Sequence, residues 1–525
     1  MREAPNDPMP RLPLNRPFRV LTVVLLAVVT RAGAAQATTT ASIAAPELPR
    51  VVPESREPYP GRPCSVTLGP RADITAALRR ARGGSVVCLT PGTSYGPFEL
   101  PTRTPNDTGW IVLRTNTAIP AAGTRIRPLT AASFAKVVQT RNAGPAVSTN
   151  PRASRYVLQG FEITVGPAVT QTYTLVALGS GDRDQDKMSE VPGQLILSHM
   201  FIHGSATGEM QRCVALNSGA TAIVDSWLSD CHGKGYDSQA IASWNGPGPH
   251  LVRNNHLEGA GENVMWGGAT PRIPNLVAAD ITFQRNYVYT PLSWKGRWTK
   301  KNLFELKNAV RVLIEDNVFD GSWTDGQTGP ALVFKSINDE GNCNWCRTTD
   351  VTVKRGYVIH AGAGIVFSGA ENYSGGKVDT VATRFLIQDV IFDSLNVAPY
   401  SGAGRAVQIG GGASDIVLDR TLTSGNIGNA MILDNFRPSP RTAFRNSVWV
   451  HGQYFAASEG TGMGLPTMLA GLRTFAWQKM TIVRGATLDP LPQGTTVVTN
   501  ERAAPLAAQI RATVANAVRG VIVPE

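Results

Sequence analysis

The chain has 525 residues, of which 52 are Gly and 36 are Pro, and only 17% of the residues are charged. This composition argues against a helical bundle or a coiled coil and favours many short strands joined by turns. The formal net charge of +11 suits acidic partners such as uronate polymers, but the basic residues are scattered, which argues against nucleic acid as a partner.

The first 37 residues have the pattern of a secretory signal peptide. Four arginines precede the apolar run VLTVVLLAVV: Arg2, Arg11, Arg16 and Arg19. This run of about ten apolar residues is too short to cross a bilayer, and cleavage is expected near Ala37. The pattern predicts export to the periplasm or the cell exterior without stable membrane insertion. An uncleaved anchor and a misplaced start codon are the alternatives. Residues 38–60, rich in Thr, Ala and Pro, are expected to form a solvated linker.

The six cysteines form three pairs that are close in sequence. These pairs are Cys64 with Cys88, Cys213 with Cys231, and Cys343 with Cys346. In an exported chain, an even number of cysteines predicts disulfides. Two alternatives stay open: a redox-active or metal-binding CNWC motif at residues 343–346, and a zinc site formed by Cys213, Cys231, His232 and His203.

After a helix predicted to start at Asp73, one short phrase recurs along the chain. It contains β-forming residues, one or two polar residues, an apolar pair and a turn. The copies begin at Tyr156, Leu195, Ala222, Leu251, Ile281, Val312, Val351, Phe385, Ile416 and Thr442. Equivalent positions lie about 27 to 39 residues apart, too short for propeller blades and without room for a helix. The repeat predicts an all-β solenoid of strands stacked in parallel. Asn255, Asn286 and Asn317 would then stack in its turns and satisfy backbone groups.

The opening helix, the stretch GGSVVCLTPGTSYG and phrases such as VLIEDNVF together resemble the pectin-lyase-like superfamily of right-handed parallel β-helices. Over residues 61–460 the resemblance implies about ten coils of three strands, with the N-terminal helix capping the core. Two helix-like stretches in residues 461–525, LPTMLAGLRTFAWQ and APLAAQIRATVANAVRGV, are expected to form a C-terminal cap. The stretches GAGENVMWGG and KNLFELKNA also resemble a bacterial group of exported β-helix proteins, from which no catalytic assignment is carried over.

The second strand of each repeat carries the candidate functional residues. In NLFELKN, residues 302–308, burial of the residues at 304 and 306 leaves Glu305 and Lys307 outside. The next repeat leaves Lys335 outside, one strand spacing of about 4.8 Å from Lys307. Earlier repeats place further polar residues at the start of this strand: Asp237, Gln239, Glu262 and Asn263. The expected ladder depends on this register, because a slip of one residue reverses every face.

Aromatic and polar residues accompany this ladder on the same strands and on the connecting loops. They are Trp244, Trp266, Trp294, Trp298, Trp323, Asp325 and Gln327. Aromatic rings stack against sugar faces while amides and charged groups bind hydroxyls. This combination predicts a groove for an acidic polysaccharide or a cell-surface glycan.

β-Elimination is the favoured reaction in this groove. Lys307 would act as the base, because the like charge of Lys335 favours a neutral lysine. If a metal takes part, Ca²⁺ is expected, held by Glu262, Asp237 and Asp325 to neutralise the uronate carboxylate.

Hydrolysis is the alternative reaction, and it would use two carboxylates taken from Glu258, Glu262 and Glu305. The predicted catalytic residues are therefore Lys307, Lys335, Glu262 and Glu305. The chain lacks the Asn-Thr-Asp, Asp-Asp and Arg-Ile-Lys motifs of polygalacturonases, which argues against pectin as the substrate. Non-catalytic glycan binding and a purely structural solenoid are the further alternatives, because the fold alone does not fix an activity.

Overall fold

The computed structural model describes residues 43–142, 144–371 and 376–522. The predicted signal peptide lies outside these residues. The described chain winds into a parallel β-helix, which confirms the predicted fold. Its strands form one 26-stranded and one 12-stranded sheet, and neighbouring strands pair in parallel. The 26-stranded sheet bends into two faces, here called sheet 1 and sheet 2, and the 12-stranded sheet is called sheet 3.

Each full coil contributes one strand to each of the three faces. Sheet 1 contains Val66–Leu68, Val86–Leu89, Ile111–Thr115, Ser154–Gln159, Gly193–Ser198, Gly219–Val224, His250–Arg253, Ala278–Gln284, Ala309–Glu315, Thr348–Lys354, Thr442–Arg445 and Phe475–Gln478. Sheet 2 contains Ser94–Tyr95, Ala135–Gln139, Phe161–Val165, Phe201–His203, Trp227–Cys231, His256–Gly259, Tyr287–Tyr289, Val318–Ser322, Tyr357–Ala361, Val448–Val450, Thr481–Val483 and Thr496–Val498. The long strands Thr383–Leu395 and Ser414–Gly425 contribute to both.

Sheet 3 has twelve strands, more than the ten coils expected, because the early coils lack the recurring phrase. Its strands are Phe98–Leu100, Val147–Thr149, Gln171–Leu178, Glu209–Leu216, Gln239–Ser243, Glu262–Trp266, Asn302–Leu306, Pro330–Ile337, Ala363–Glu371, Arg405–Gly410, Asn429–Leu433 and Tyr454–Ala457. The helices are Ile74–Arg80, Pro128–Ala131, Leu465–Gly471 and Pro505–Ala517, with 3-10 turns at Arg183–Gln185, Met188–Glu190, Leu292–Trp294 and Glu501–Ala503.

An asparagine ladder holds the short turns between sheet 1 and sheet 2. The Asn286 Oδ1 accepts hydrogen bonds from the backbone N–H of Asn255 at 3.0 Å and from its Nδ2 at 3.1 Å. Asn317 accepts the same two bonds from Asn286 at 2.8 and 3.1 Å. All three residues are fully buried. The predicted stacking is confirmed, and the ladder satisfies backbone groups that a tight turn would otherwise leave unpaired.

Helices lie near both ends of the described β-helix. Of the two C-terminal helices, only Leu465–Gly471 contributes a side chain to the main hydrophobic core. At the N-terminus, Asp73 caps the helix Ile74–Arg80 by accepting from the Ala76 N–H at 2.9 Å, as predicted. Near the C-terminus, Leu465–Gly471 contributes Met468 to the core. The stretch FAWQ, expected to be helical, instead forms the strand Phe475–Gln478, because it pairs with the strand Thr442–Arg445.

The last helix, Pro505–Ala517, covers the outer face of the β-helix. Its Ile510 and Val514 pack against Ile391, Leu422 and Val448. These residues form a small apolar patch that would otherwise face solvent, so burying it stabilises the C-terminal coils. The strands extend to Val498, well beyond residue 460, where the β-helix was expected to end.

Residues 43–60 lie along the outside of sheet 1, so the described part of the expected solvated linker is attached to the β-helix. The backbone N–H of Glu47 donates to Asp350 at 3.1 Å, and that of Arg50 donates to Asp280 at 2.9 Å. Farther along, Ser55 accepts a hydrogen bond from Arg253 at 3.1 Å. The Thr- and Pro-rich composition could not reveal these partners. The outer face of sheet 1 supplies them, through the carboxylates of Asp280 and Asp350 and the guanidinium group of Arg253.

The three predicted cysteine pairs are disulfides, with Cα–Cα distances of 5.7, 5.6 and 5.3 Å. The zinc alternative fails because Cys213 and Cys231 are bonded to each other. Within the described residues, no helix is both long and apolar enough to span a membrane.

Candidate functional site

The outer face of sheet 3 carries the candidate site, in the register expected from the sequence. Phe304 pairs with Leu332 and Leu306 with Phe334, and all four side chains lie in the core. Lys307 and Lys335 follow these pairs, one strand apart. Glu305 is flanked by Met265 on one neighbouring strand and by Val333 on the other.

A bend at the start of the sheet 3 strands places two successive residues in the core, as with Leu303 and Phe304. Simple alternation is broken there, so the residue before the bend faces outward, as Glu262 and Asn302 do. Asn263 occupies the inner position of this bend, where its Nδ2 donates to the Leu257 and Tyr289 carbonyls at 3.0 and 2.8 Å. The structure therefore places Asn263 inside the coil, away from the predicted groove.

Glu262 is the centre of the first half of the site. Its Oε1 lies 3.2 Å from the Lys301 Nζ, and its Oε2 accepts a hydrogen bond from Gln239 at 3.0 Å. The same Lys301 ammonium lies 2.6 Å from Asp237. Glu262 and Gln239 are fully buried, whereas Lys301 and Asp237 are partly exposed. Lys301 and Asp237 therefore form a rim above a buried carboxyl group.

Glu305 is the centre of the second half of the site. Its Oε2 accepts a hydrogen bond from the Asn302 Nδ2 at 3.0 Å, and its Oε1 lies 3.2 Å from Lys335 and 3.8 Å from Lys307. Asn302 also donates to the Gln327 Oε1 at 3.2 Å. The Glu305 carboxylate thus contacts both lysines. Its negative charge offsets the repulsion between the two ammonium groups, and that repulsion was the reason for expecting a neutral Lys307.

Lys307 is far less exposed than the alternation pattern implied, with 9% of the residue accessible. The turn at Gly267 covers it: Gly267 has φ +97°, and a Cβ there would lie 2.8 Å from the Lys307 Cβ. Only a glycine permits so close an approach. A small depression remains beside Lys307, lined also by Thr270, Asn308 and Asp339.

The site contains several buried acceptor oxygens. Four of these oxygens receive no hydrogen bond from the described part of the chain: Gln239 Oε1, Glu262 Oε1, Asn302 Oδ1 and Glu305 Oε1. Two of them, Glu262 Oε1 and Glu305 Oε1, are ion-paired with Lys301 and Lys335. Buried polar atoms are normally paired, so the two amide oxygens, Gln239 Oε1 and Asn302 Oδ1, favour a ligand that carries hydroxyl donors.

The two carboxyl groups have opposite pKa displacements. Burial, followed by the charges of Glu305 and Asp237, raises the pKa of Glu262 to about 7. Burial also acts to raise the pKa of Glu305, but the charges of Lys307 and Lys335 and the hydrogen bond from Asn302 outweigh it and lower that pKa below its ordinary value. Near neutral pH, Glu262 is therefore able to donate a proton while Glu305 is ionised.

The predicted aromatic groove is only partly present. Trp266 is a core residue that donates to His250, and Trp294 and Trp323 are buried together under the loop 291–301. Trp298 and Trp244 are partly exposed.

Trp298 stacks on His232 with ring centroids 4.1 Å apart, and its indole N–H has no acceptor among the described residues. Trp244 lies beneath the Arg212 guanidinium, 4.6 Å from the ring centroid. Of the five predicted tryptophans, these two alone are partly exposed.

The residues expected to hold calcium already have a cationic partner or a backbone donor. Lys301 bridges Asp237 and Glu262, while the exposed Asp325 accepts from the backbone N–H of Lys300 at 2.7 Å. Where the chain is described, no group of three or more His, Cys, Asp or Glu side chains is arranged to hold a metal ion. The ammonium group of Lys301 lies between the Asp237 and Glu262 carboxylates, where calcium was expected.

Sequence reasoning missed Lys301, Asn302 and Lys300. Lys301 lies in a loop, where no periodicity reveals its direction, and Asn302 precedes the bend. Lys300 is fully buried, and its Nζ donates to the Thr290 hydroxyl and the Asn302 carbonyl at 2.9 and 2.8 Å. Burial lowers the pKa of Lys300 well below its ordinary value. Lys300 fixes the backbone from which Asn302 extends.

No family model and no curated protein matches this chain. Among solved structures, it is similar to the catalytic domain of a GH87 α-1,3-glucanase in complex with tetrasaccharides, with a TM-score of 0.51 and 12% identity over 82% of this chain and 70% of that one. The bacteriophage HK620 tailspike, from a phage of E. coli and bound to a hexasaccharide, gives a TM-score of 0.47 and 11% identity, over 82% and 63%.

A PL6 family alginate lyase gives a TM-score of 0.43 and 12% identity, over 81% of this chain and 52% of the lyase. This chain therefore spans about half the length of that lyase. At such low identity, the likeness to the glucanase domain shows the parallel β-helix fold alone.

Proposed function

We propose that this protein is an exported polysaccharide-cleaving enzyme whose site is the Glu262 and Glu305 pair on sheet 3. The observation that carries the proposal is the placement, on adjacent strands, of two buried carboxyl groups that each contact an amide donor and a lysine and whose pKa values are displaced in opposite directions. Such a pair provides a proton donor and an ionised carboxylate at the same pH, which glycosidic bond cleavage requires.

Glu262 is the proposed general acid. With its pKa near 7, it retains a proton at neutral pH and delivers it to the glycosidic oxygen as the bond breaks. Glu305 is the complementary carboxylate, acting on the sugar or on a water molecule. Gln239 and Asn302, with their unpaired oxygens, accept hydrogen bonds from sugar hydroxyls. This assignment favours hydrolysis over the β-elimination expected from the sequence.

β-Elimination on a uronate polymer is the second candidate, favoured by the position of Lys307 and Lys335 one strand apart beside a depression. In that reaction Lys307 takes the proton next to the uronate carboxyl and the leaving oxygen is protonated. The Glu305 carboxylate, which contacts both ammonium groups, is the observation against it.

The products distinguish the two reactions. Purified protein is incubated with alginate, pectate, glycosaminoglycans, bacterial exopolysaccharides and α-glucans, and both reducing ends and the ultraviolet absorbance of unsaturated sugars are measured. Hydrolysis gives reducing ends without absorbance, and Glu262→Gln lowers the rate at least 100-fold. Elimination gives both signals and is abolished by Lys307→Ala.

Lys234→Gln is the matched control, because Lys234 is exposed on a neighbouring loop. It keeps full activity in either case. Full activity in Glu262→Gln removes the carboxyl pair from the mechanism. Glycan binding without any product leaves the protein a binding module.

A further inference from the structure

A second groove lies on sheet 1, away from the Glu262 cluster. It has a volume of about 680 Å³, which is within the range of ligand-binding pockets. The segment 55–61 forms one wall, and the loop 117–123 contributes to the other. A row of residues paired across consecutive strands runs along its floor: Arg114, Gln159, Ser198, Val224 and Arg253, all of which except Val224 line the groove.

Arginines bracket this floor at both ends. Arg114 and Arg253 are four strand steps apart, about 19 Å between Cα atoms at ~4.8 Å per step. Their guanidinium groups turn toward the segment 55–61, where Arg253 donates to the Ser55 hydroxyl at 3.1 Å and Arg114 lies 3.7 Å from Glu57. Arg56 adds a third, exposed guanidinium group.

The acidic residues of the groove, Glu57 and Asp225, cancel only part of this charge. Asp225 is already bonded through both oxygens, to the Gly123 N–H at 2.8 Å and to the Asn254 Nδ2 at 2.7 Å. Burial raises the pKa of Glu57. Three arginines against two carboxylates leave the lining with at least one net positive charge, which attracts an anion.

The centre of the floor requires a hydrogen-bond donor. Gln159 is 8% exposed, and its Oε1 has no partner within the described residues. On the next strand, the Ser198 Oγ lies 2.7 Å from the His199 Nδ1. A ligand that fits this groove therefore carries negative charge toward its ends and hydroxyl groups between them.

We propose that this groove binds a short segment of acidic oligosaccharide, with arginines on its anionic groups and Gln159 on a hydroxyl. Binding here does not depend on catalysis at sheet 3. It would hold a charged polymer on a different face of the coil from the Glu262 and Glu305 pair, and it gives a specific use to the docked segment 55–61, which completes the groove.

Calorimetry with an alginate tetrasaccharide tests the proposal in the Glu262→Gln background, so that the outcome is separate from turnover. Hydrogen exchange of the segments 55–61 and 117–123 reports binding at this groove. We expect ligand-dependent protection of both segments, a loss of affinity of at least tenfold in Arg253→Gln and a smaller loss in Gln159→Leu.

Lys354→Gln is the matched control. Lys354 lies on the same row of sheet 1, three strand steps beyond Arg253 through Gln284 and Glu315, but outside the groove. It removes one positive charge and should leave affinity and protection unchanged. Unfolding temperatures confirm that each variant is folded.

Three results would overturn the proposal. The first is the absence of protection in the two wall segments at saturating tetrasaccharide. The second is equal affinity for uncharged maltotetraose, which would remove the role of the arginines. The third is equal affinity for tetraglutamate, which would show that charge alone, and not the sugar, is recognised.

Discussion

Replacing Glu262 with Gln removes a carboxyl group that the folded protein ionises with difficulty. Its pKa of about 7, against an ordinary value of 4.5, corresponds to a cost of about 3 kcal/mol for the charged form. Because the folded pKa lies above the unfolded one, this cost is absent below about pH 4.5 and complete above about pH 7. The amide carries no such cost, so the stability of Glu262→Gln relative to the natural protein should rise by about 3 kcal/mol between pH 4.5 and pH 8.

Urea unfolding followed by tryptophan fluorescence at a series of pH values measures this difference. Glu305→Gln is the control, since the pKa of Glu305 is lowered and its charged form is stabilised by the lysines. That variant should be less stable than the natural protein, with no gain between pH 5 and pH 8. A constant difference between Glu262→Gln and the natural protein across this range would refute the raised pKa and, with it, the role of Glu262 as a proton donor.

The asparagine ladder, one disulfide and the last helix give three further predictions. Asn286→Ala leaves the buried Asn255 N–H unpaired and should cost about 3 kcal/mol in urea unfolding, whereas an effect below about 1 kcal/mol would mean that the turn re-forms. The double replacement of Cys213 and Cys231 by Ala opens an 18-residue connection and should lower stability by about 3 kcal/mol, with reduced natural protein as the comparison. Deleting the chain from residue 505 exposes the patch under Pro505–Ala517; it should increase binding of an apolar dye and lower the unfolding temperature, and unchanged dye binding would contradict this packing.

The fold followed from the sequence because one physical requirement repeats along the chain. Each coil has to turn tightly and bury an apolar pair, so the same phrase recurs, and Asn286 aligns with Asn255 and Asn317. The register of sheet 3 followed from the same alternation, since Phe304 and Leu306 belong to the core. Both features depend on residues that are close together in the sequence, and the same pattern is repeated in each coil.

The site was harder to predict because it depends on departures from that pattern. The bend before Phe304 turns Asn302 outward and Asn263 inward, and strict alternation cannot indicate it. The burial of Lys307 depends on the turn at Gly267, a contact between neighbouring coils. The position of Lys301 above Glu262 is set by a loop. Such contacts arise only when separate coils come together, so the residue types were predicted better than their environments.

The docked N-terminal segment has a consequence for the order in which the protein matures. Glu47 and Arg50 bind Asp350 and Asp280, partners 303 and 230 residues later in the chain. During synthesis, this segment is made before those coils and has nothing to bind until they have been made. The segment can therefore attach only after the coil that contains Asp350 has folded. Its attachment is a late step of folding, although its residues are among the earlier ones in the chain.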